Sequence, residues 1–159
     1  MTVLALDLGT KTGWGLHEHG RITSGVQTFD VKRGESPGMR YLRLDRWLDE
    51  LAGEDHDVPL ALLVYEQPHM RGGHATEVLA GFATRVQAWC AQRGVEHQAV
   101  HTATLKKWTT GSGRGDKRAM YDAVLRRWPA VVAVDSDDNE IDALALLHYA
   151  LAELAPKES

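Results

Sequence analysis

Apolar residues recur along this chain in two rhythms. Residues 3 to 8 (VLALDL), 13 to 18 (GWGLHE) and about 21 to 30 (RITSGVQTFD) are short strand-like runs joined by the turn-rich Gly9-Thr10-Lys11-Thr12 and His19-Gly20. They predict a three-stranded antiparallel meander. The spacing then turns helical: Met39, Leu42, Leu44, Trp47, Leu48 and Leu51 fall at helical intervals over 36 to 53, after a Ser-Pro start. Residues 60 to 66 (LALLVYE) form a continuous apolar strand, 74 to 93 a second helix stopped by Gly94, and 95 to 101 (VEHQAVH) a fifth strand. Three more helical stretches follow at about 102 to 109, 116 to 128 and 138 to 155.

A meander followed by helix, strand, helix, strand is an α/β pattern. A right-handed crossover places the fourth strand parallel to the first on its free edge, so the expected architecture is a five-stranded mixed sheet of order 3-2-1-4-5 flanked by helices. Ligands in such sheets collect beyond the C-terminal ends of the strands where the chain departs in opposite senses, here the first and fourth. Asp7 and Glu66 lie at or near those two ends. On the last helix Asp138, Asn139 and Asp142, spaced i, i+1 and i+4, share one face, while Ile141, Leu144, Ala145, Leu151 and Leu154 anchor it. A carboxylate closing a hydrophobic strand has no structural task there, and three acids brought together repel unless a cation sits between them.

Composition narrows the class without changing the fold. With 159 residues, 43% hydrophobic and 25% charged, residues 1–159 are expected to form one globular domain. The one cysteine, Cys90, is expected to fill core and excludes an intramolecular disulfide, which suits a reducing compartment. Apolar runs are far shorter than the roughly 20 residues of a membrane helix, and the chain opens directly into a strand, so a cytoplasmic protein without membrane association is expected. The net charge of -4 hides a segregation. Residues 104 to 128 carry seven basic groups against two acidic, and residues 129 to 159 one basic against seven acidic. A basic surface beside an acidic pocket is what a metal-using nuclease needs.

Oxygen-rich carboxylate sites suit Mg²⁺ or Mn²⁺, and two such ions in one site support phosphodiester hydrolysis. The basic stretch Lys106-Lys107-Trp-Thr-Thr-Gly-Ser-Gly-Arg114-Gly-Asp-Lys117-Arg118 adds glycines that let backbone amides approach phosphates and cations that neutralise them. Lys117 is the leading candidate for contact near the scissile phosphate. The five tryptophans read as core or interface residues, with Trp108, beside Lys107, as the exception to test. His148 reads as packing, and Gly9, Gly13 and Gly15 as hairpin residues without a catalytic part.

Four segments, LALDLGTKTGWGL, VYEQPHMRGGHATEVLAGF, TATLKKWTTGSGRGDKRAM and DDNEIDALALLHYAL, resemble in order those of the RuvC-type Holliday junction resolvases of the ribonuclease H-like superfamily, most closely their phage and prophage branch. The resemblance implies a ribonuclease H-like fold and a homodimeric endonuclease that makes paired nicks in four-way DNA junctions with Mg²⁺ or Mn²⁺. It assigns Asp7, Glu66 and Asp142 as the acids of the first strand, fourth strand and final helix. The fourth ligand position falls on Asn139, with Asp138 one residue earlier; either Asn139 ligates as a neutral group or Asp138 reaches in. His69 stands where a cellular resolvase carries a wedging aromatic, and Arg71 lies in the same DNA-facing loop. Two other readings stay open: an RNA-processing ribonuclease of the same fold, and a junction-binding protein whose catalysis is impaired at Asn139.

Overall fold

The computed structural model describes residues 1–53, 56–68 and 72–157. Strands β1 (Thr2–Asp7), β2 (Lys11–Glu18) and β3 (Arg21–Thr28) form the meander, and helix α1 (Met39–Ala52) leads to β4 (Leu60–Glu66). Helix α2 (Gly73–Arg93), strand β5 (Glu96–Val100) and helices α3 (Thr102–Thr110), α4 (Lys117–Arg127) and α5 (Asp138–Tyr149) complete the order. The five strands lie as β3-β2-β1-β4-β5, with β1 antiparallel to β2 and parallel to β4. The expected sheet is the observed one.

Side chains alternate across a strand, and here both faces of the central pair are covered, which is why β1 and β4 read as unbroken apolar runs. Leu4, Leu6, Leu63 and Tyr65 join α1 and α2 in one core, where Phe29, Phe82 and Trp89 are fully buried or nearly so. Val3, Ala5, Leu62 and Val64 face the other way, into a second core closed by α3, α4 and α5. Cys90 lies in the first core, where burial pushes its thiol up to about 12, so it is the inert filler expected. Trp14 and Trp47 also pack against that core.

One expected boundary moves. The final helix keeps α geometry only to Tyr149, and its last turn, Ala150–Leu154, widens to a π turn in which the Ala155 amide donates to the Ala150 carbonyl at 2.7 Å. Leu151 and Leu154 still reach the second core from that turn. Among the described residues no helix is long and apolar enough to cross a membrane.

Candidate active site

The alternation that fills the two cores also aims the acids. Leu6 pairs with Tyr65 across the parallel strands, so Asp7 and Glu66 stand one step further on, side by side at the C-terminal edge. Counting back by twos, Asp7 follows Ala5 and Glu66 follows Val64, which places both carboxylates on the α5 face. The α5 helix then lies on β2, whose Gly13 is the cross-strand partner of Asp7 and whose Gly15 pairs with Ala5 on the same face. A Cβ on Gly13 would sit 1.9 Å from the Asn139 carbonyl oxygen, and one on Gly15 would touch Leu147 and Leu144 at 3.3 and 3.4 Å. The two glycines are therefore the track on which α5 rests, and the close approach brings Asp142 to Asp7 and Glu66.

These three acids act on one another. Burial and then the charges of Glu66, Asp142 and Asp137 push the Asp7 carboxyl up to about 8. Burial, followed by Glu66 and Asp138, pushes Asp142 up to about 7, with Lys106 and Lys117 pulling against the rise. Near neutral pH the site thus retains protons that ordinary surface carboxylates would have lost. Glu66 is oriented by Thr102, the first residue of α3, whose hydroxyl donates to Glu66 Oε2 at 2.9 Å.

The start of α5 is fixed by Asp137, whose Oδ1 accepts from the Asn139 amide at 2.8 Å, with Asp138 and Glu140 in the first turn complementing the helix dipole. Glu140 turns to β3, accepting from the Ser24 hydroxyl at 2.7 Å. Lys11 bridges to Asp137 at 2.5 Å and, with the Asn139 amide, holds that carboxyl below its usual range. Of the two candidates for the fourth position, Asn139 has its backbone amide held by Asp137 Oδ1, and the exposed Asp138 pairs with Lys117 at 2.8 Å.

The basic residues divide by helix face. Lys106 and Lys117 act on Asp142, and the Asp138 contact raises the Lys117 ammonium. Lys107, one residue on, turns to the flank shared by Trp108, Tyr149 and Glu153. Arg118 pairs with Asp122 at 3.2 Å and lies over the Tyr121 ring. Arg114 is exposed in the glycine loop, which is braced: its amide donates to Ser112 Oγ, and Thr110 Oγ1 donates to the Lys106 and Ser112 carbonyls. His69 and Arg71 lie outside the described residues.

Asp137, Lys11, Thr102 and Gly13 were not singled out for the site by sequence reasoning. Asp137 had a signal, the Asp-x-x-Glu spacing to Glu140 that marks a helix start. Thr102 and Gly13 had none, because their partners are distant in sequence. As a donor set, three partly buried carboxylates, of which Asp7 and Asp142 are raised by burial and then by neighbouring acids, suit a hard divalent cation, which would displace the protons held there. Among the described residues no group of three or more His, Cys, Asp or Glu side chains stands in metal-holding geometry; the acids are electrostatic neighbours and not a closed cage.

No family model and no curated protein matches this sequence. Its backbone, however, superposes on the Thermus thermophilus RuvC structure with a TM-score of 0.73, covering 96% of each chain at 19% identity. The chain has the RuvC fold. A second solved structure, T. thermophilus RuvC in complex with a Holliday junction substrate, gives a TM-score of 0.75 at 19% identity, covering 97% of this chain and 96% of that one. The likeness extends over 96 to 97% of this chain, and the mixed sheet of order 3-2-1-4-5 with its flanking helices matches the RuvC fold, which is ribonuclease H-like.

Proposed function

We propose that this chain is a metal-dependent endonuclease that resolves four-way DNA junctions, acting as a homodimer that nicks two strands symmetrically. The observation that carries this reading is the meeting of Asp7, Glu66 and Asp142 at the C-terminal edge of the sheet, beside Lys106 and Lys117. The solved RuvC complex supports the choice of substrate, since that protein of the same fold is seen on a Holliday junction.

Asp7, Glu66 and Asp142 would hold Mg²⁺ or Mn²⁺, two ions per site, with Asn139 or Asp138 at the fourth position. Bound there, such ions supply activation of the attacking water and stabilisation of the leaving 3′ oxygen. The chain's own groups do the rest. Thr102 keeps the Glu66 carboxylate turned to the site, Lys106 and Lys117 draw the phosphate in, and Asp137 with Lys11 fixes the α5 start that carries Asp142. Arg114 and Arg118 extend the cationic surface, and His69 and Arg71, which lie outside the described residues, are assigned to DNA contact on the sequence alone. One chain carries one acidic site, so symmetric cuts call for two copies related by a twofold axis.

A specific observation favours a second reading. Asp138 is engaged with Lys117 at 2.8 Å and Asn139 is a neutral amide, which would suit a junction binder whose fourth ligand is lost. Cleavage of a labelled immobile four-way junction with Mg²⁺, Mn²⁺ or EDTA, beside linear duplex and a structured RNA, separates the alternatives. Symmetric metal-dependent nicks, absent in Asp7→Asn and Asp142→Asn, are expected. Tight junction binding with no cutting in any metal would leave the binder, and cutting of RNA alone would move the chain to RNA processing.

A further inference from the structure

Trp108 forms the wall between two hollows on the outer side of the α3, α4 and α5 layer, of about 380 and 470 Å³. The first is bounded by Trp108, Thr109, Arg126, Arg127 and His148 and has no carboxylate in its described lining; the second adds Lys107, Tyr149 and Glu153. We propose that this place binds a nucleotide unit of a nucleic-acid strand, its phosphate on Arg126 and Arg127 and its base against the Trp108 indole. The inference rests on the nuclease reading for the identity of the polymer, and on the hollow itself for the site.

The indole is held for such a task. Its N–H donates to Glu153 Oε1 at 3.2 Å, and His148 and Tyr149 meet it nearly at right angles, at 76° and 82° with ring centroids 4.6 and 5.3 Å away. Neither ring stacks flat on it. Around it the cationic side chains are uncommitted: among the described residues the Arg126 guanidinium and the Lys107 ammonium make no ion pair or hydrogen bond, while the Lys107 carbonyl accepts from the Gly111 amide that ends α3. Arg127 lies over the Trp128 ring at 5.4 Å. Arginines in the last turn of α4 complement its dipole, but the dipole accounts for neither the hollow nor the orientation of the indole. Cationic grooves interleaved with aromatic platforms are how proteins hold single strands, with phosphates neutralised and bases stacked.

Along α5 the hollow lies close to the acids. Lys106 faces Asp142, Lys107 and Trp108 follow it on α3, and α5 itself runs from Asp142 to His148, six residues or about 9 Å along the axis. On this proposal a strand with its scissile phosphate at the acids would pass round α3 from Lys106 by way of Lys107 to Trp108.

The test uses the full chain in EDTA, so that nothing is cut, and a short thymidine oligonucleotide as probe. Tryptophan emission is expected to be quenched on titration, with the quenching lost in Trp108→Phe. The surface pair Arg126→Gln/Arg127→Gln is expected to bind the oligonucleotide about ten-fold more weakly, with a salt slope shallower by about 1 to 2. Unchanged affinity in the arginine pair overturns the proposal. So does weakened binding without any Trp108-dependent quenching, because charge alone then suffices. Quenching together with failure to cut any junction would sink the resolvase reading while keeping this site; metal-dependent junction cleavage with neither signal would do the reverse.

Discussion

A side chain on Gly13 would place its Cβ 1.9 Å from the Asn139 carbonyl oxygen, so the first turn of α5 rests directly on the backbone of β2. Because Gly13 is also the cross-strand partner of Asp7, one close approach sets the distance between the acid of β1 and the acids of α5. Gly13→Ala is expected to destabilise the fold by about 2 kcal/mol or more, as overpacking of a rigid contact does, and to abolish cleavage. Gly15→Ala meets the flexible side chains of Leu147 and Leu144 instead, at 3.3 and 3.4 Å, and should cost about 1 kcal/mol or less. Urea unfolding of both variants checks the contrast; equal losses would contradict it.

The raised carboxyls predict a pH dependence for the metal-free chain. Asp7 is pushed from 3.8 to about 8 and Asp142 from 3.8 to about 7 by burial and neighbouring acids. A group whose folded value lies above its unfolded one contributes stability that is complete below the unfolded value and lost as pH rises through the folded one. Melting temperature in EDTA should therefore fall between about pH 4 and pH 8. Asp7→Asn should flatten that fall, and Mg²⁺ or Mn²⁺ should raise the melting temperature more at pH 8 than at pH 5. A metal-free profile identical in the parent and in Asp7→Asn would refute the burial of a shared charge.

The Thr102 hydroxyl donates to Glu66 Oε2 at 2.9 Å, a bond to a group that is charged when ionised. Thr102→Val keeps the shape and removes the bond, worth roughly 1.5 kcal/mol, so kcat for junction cleavage should drop about ten-fold with stability changed far less. Thr102→Ser should restore most of the rate. Failure of serine to rescue would mean that the threonine acts through packing.

Adjacent lysines of α3 should behave differently. Lys106 lowers the proton affinity of Asp142, whereas Lys107 faces Trp108 and Glu153. Lys106→Gln should shift the pH–rate profile to higher pH, because Asp142 then holds its proton longer; Lys107→Gln should leave the profile in place. Coincident profiles would place Lys106 outside the field of the acids.

Lys117 pairs with Asp138 at 2.8 Å on the exposed rim. If it also meets phosphate, Lys117→Gln should weaken junction binding across sequences and reduce the salt slope by about 1. Asp138→Asn, which frees the ammonium, should bind DNA at least as tightly as the parent. Binding unaffected by either change would make the pair a purely structural clasp.

Much of this protein is legible in local pattern. Alternating and continuous apolar runs name the five strands, helical spacing names the five helices to within a few residues, and the topology puts Asp7 and Glu66 at one sheet edge, because period two and crossover handedness are properties of the chain itself. What only the tertiary structure decided are contacts between residues far apart in sequence. Gly13 looks like a hairpin glycine until α5 lands on it; Thr102 looks like a helix start until Glu66 turns to it. Lys106 and Lys107 are equivalent in the sequence and separate only when α3 packs, since consecutive helical residues point about 100° apart. The proton affinities of Asp7 and Asp142 likewise belong to the fold, because desolvation and repulsion exist only once the strands and α5 have closed around them.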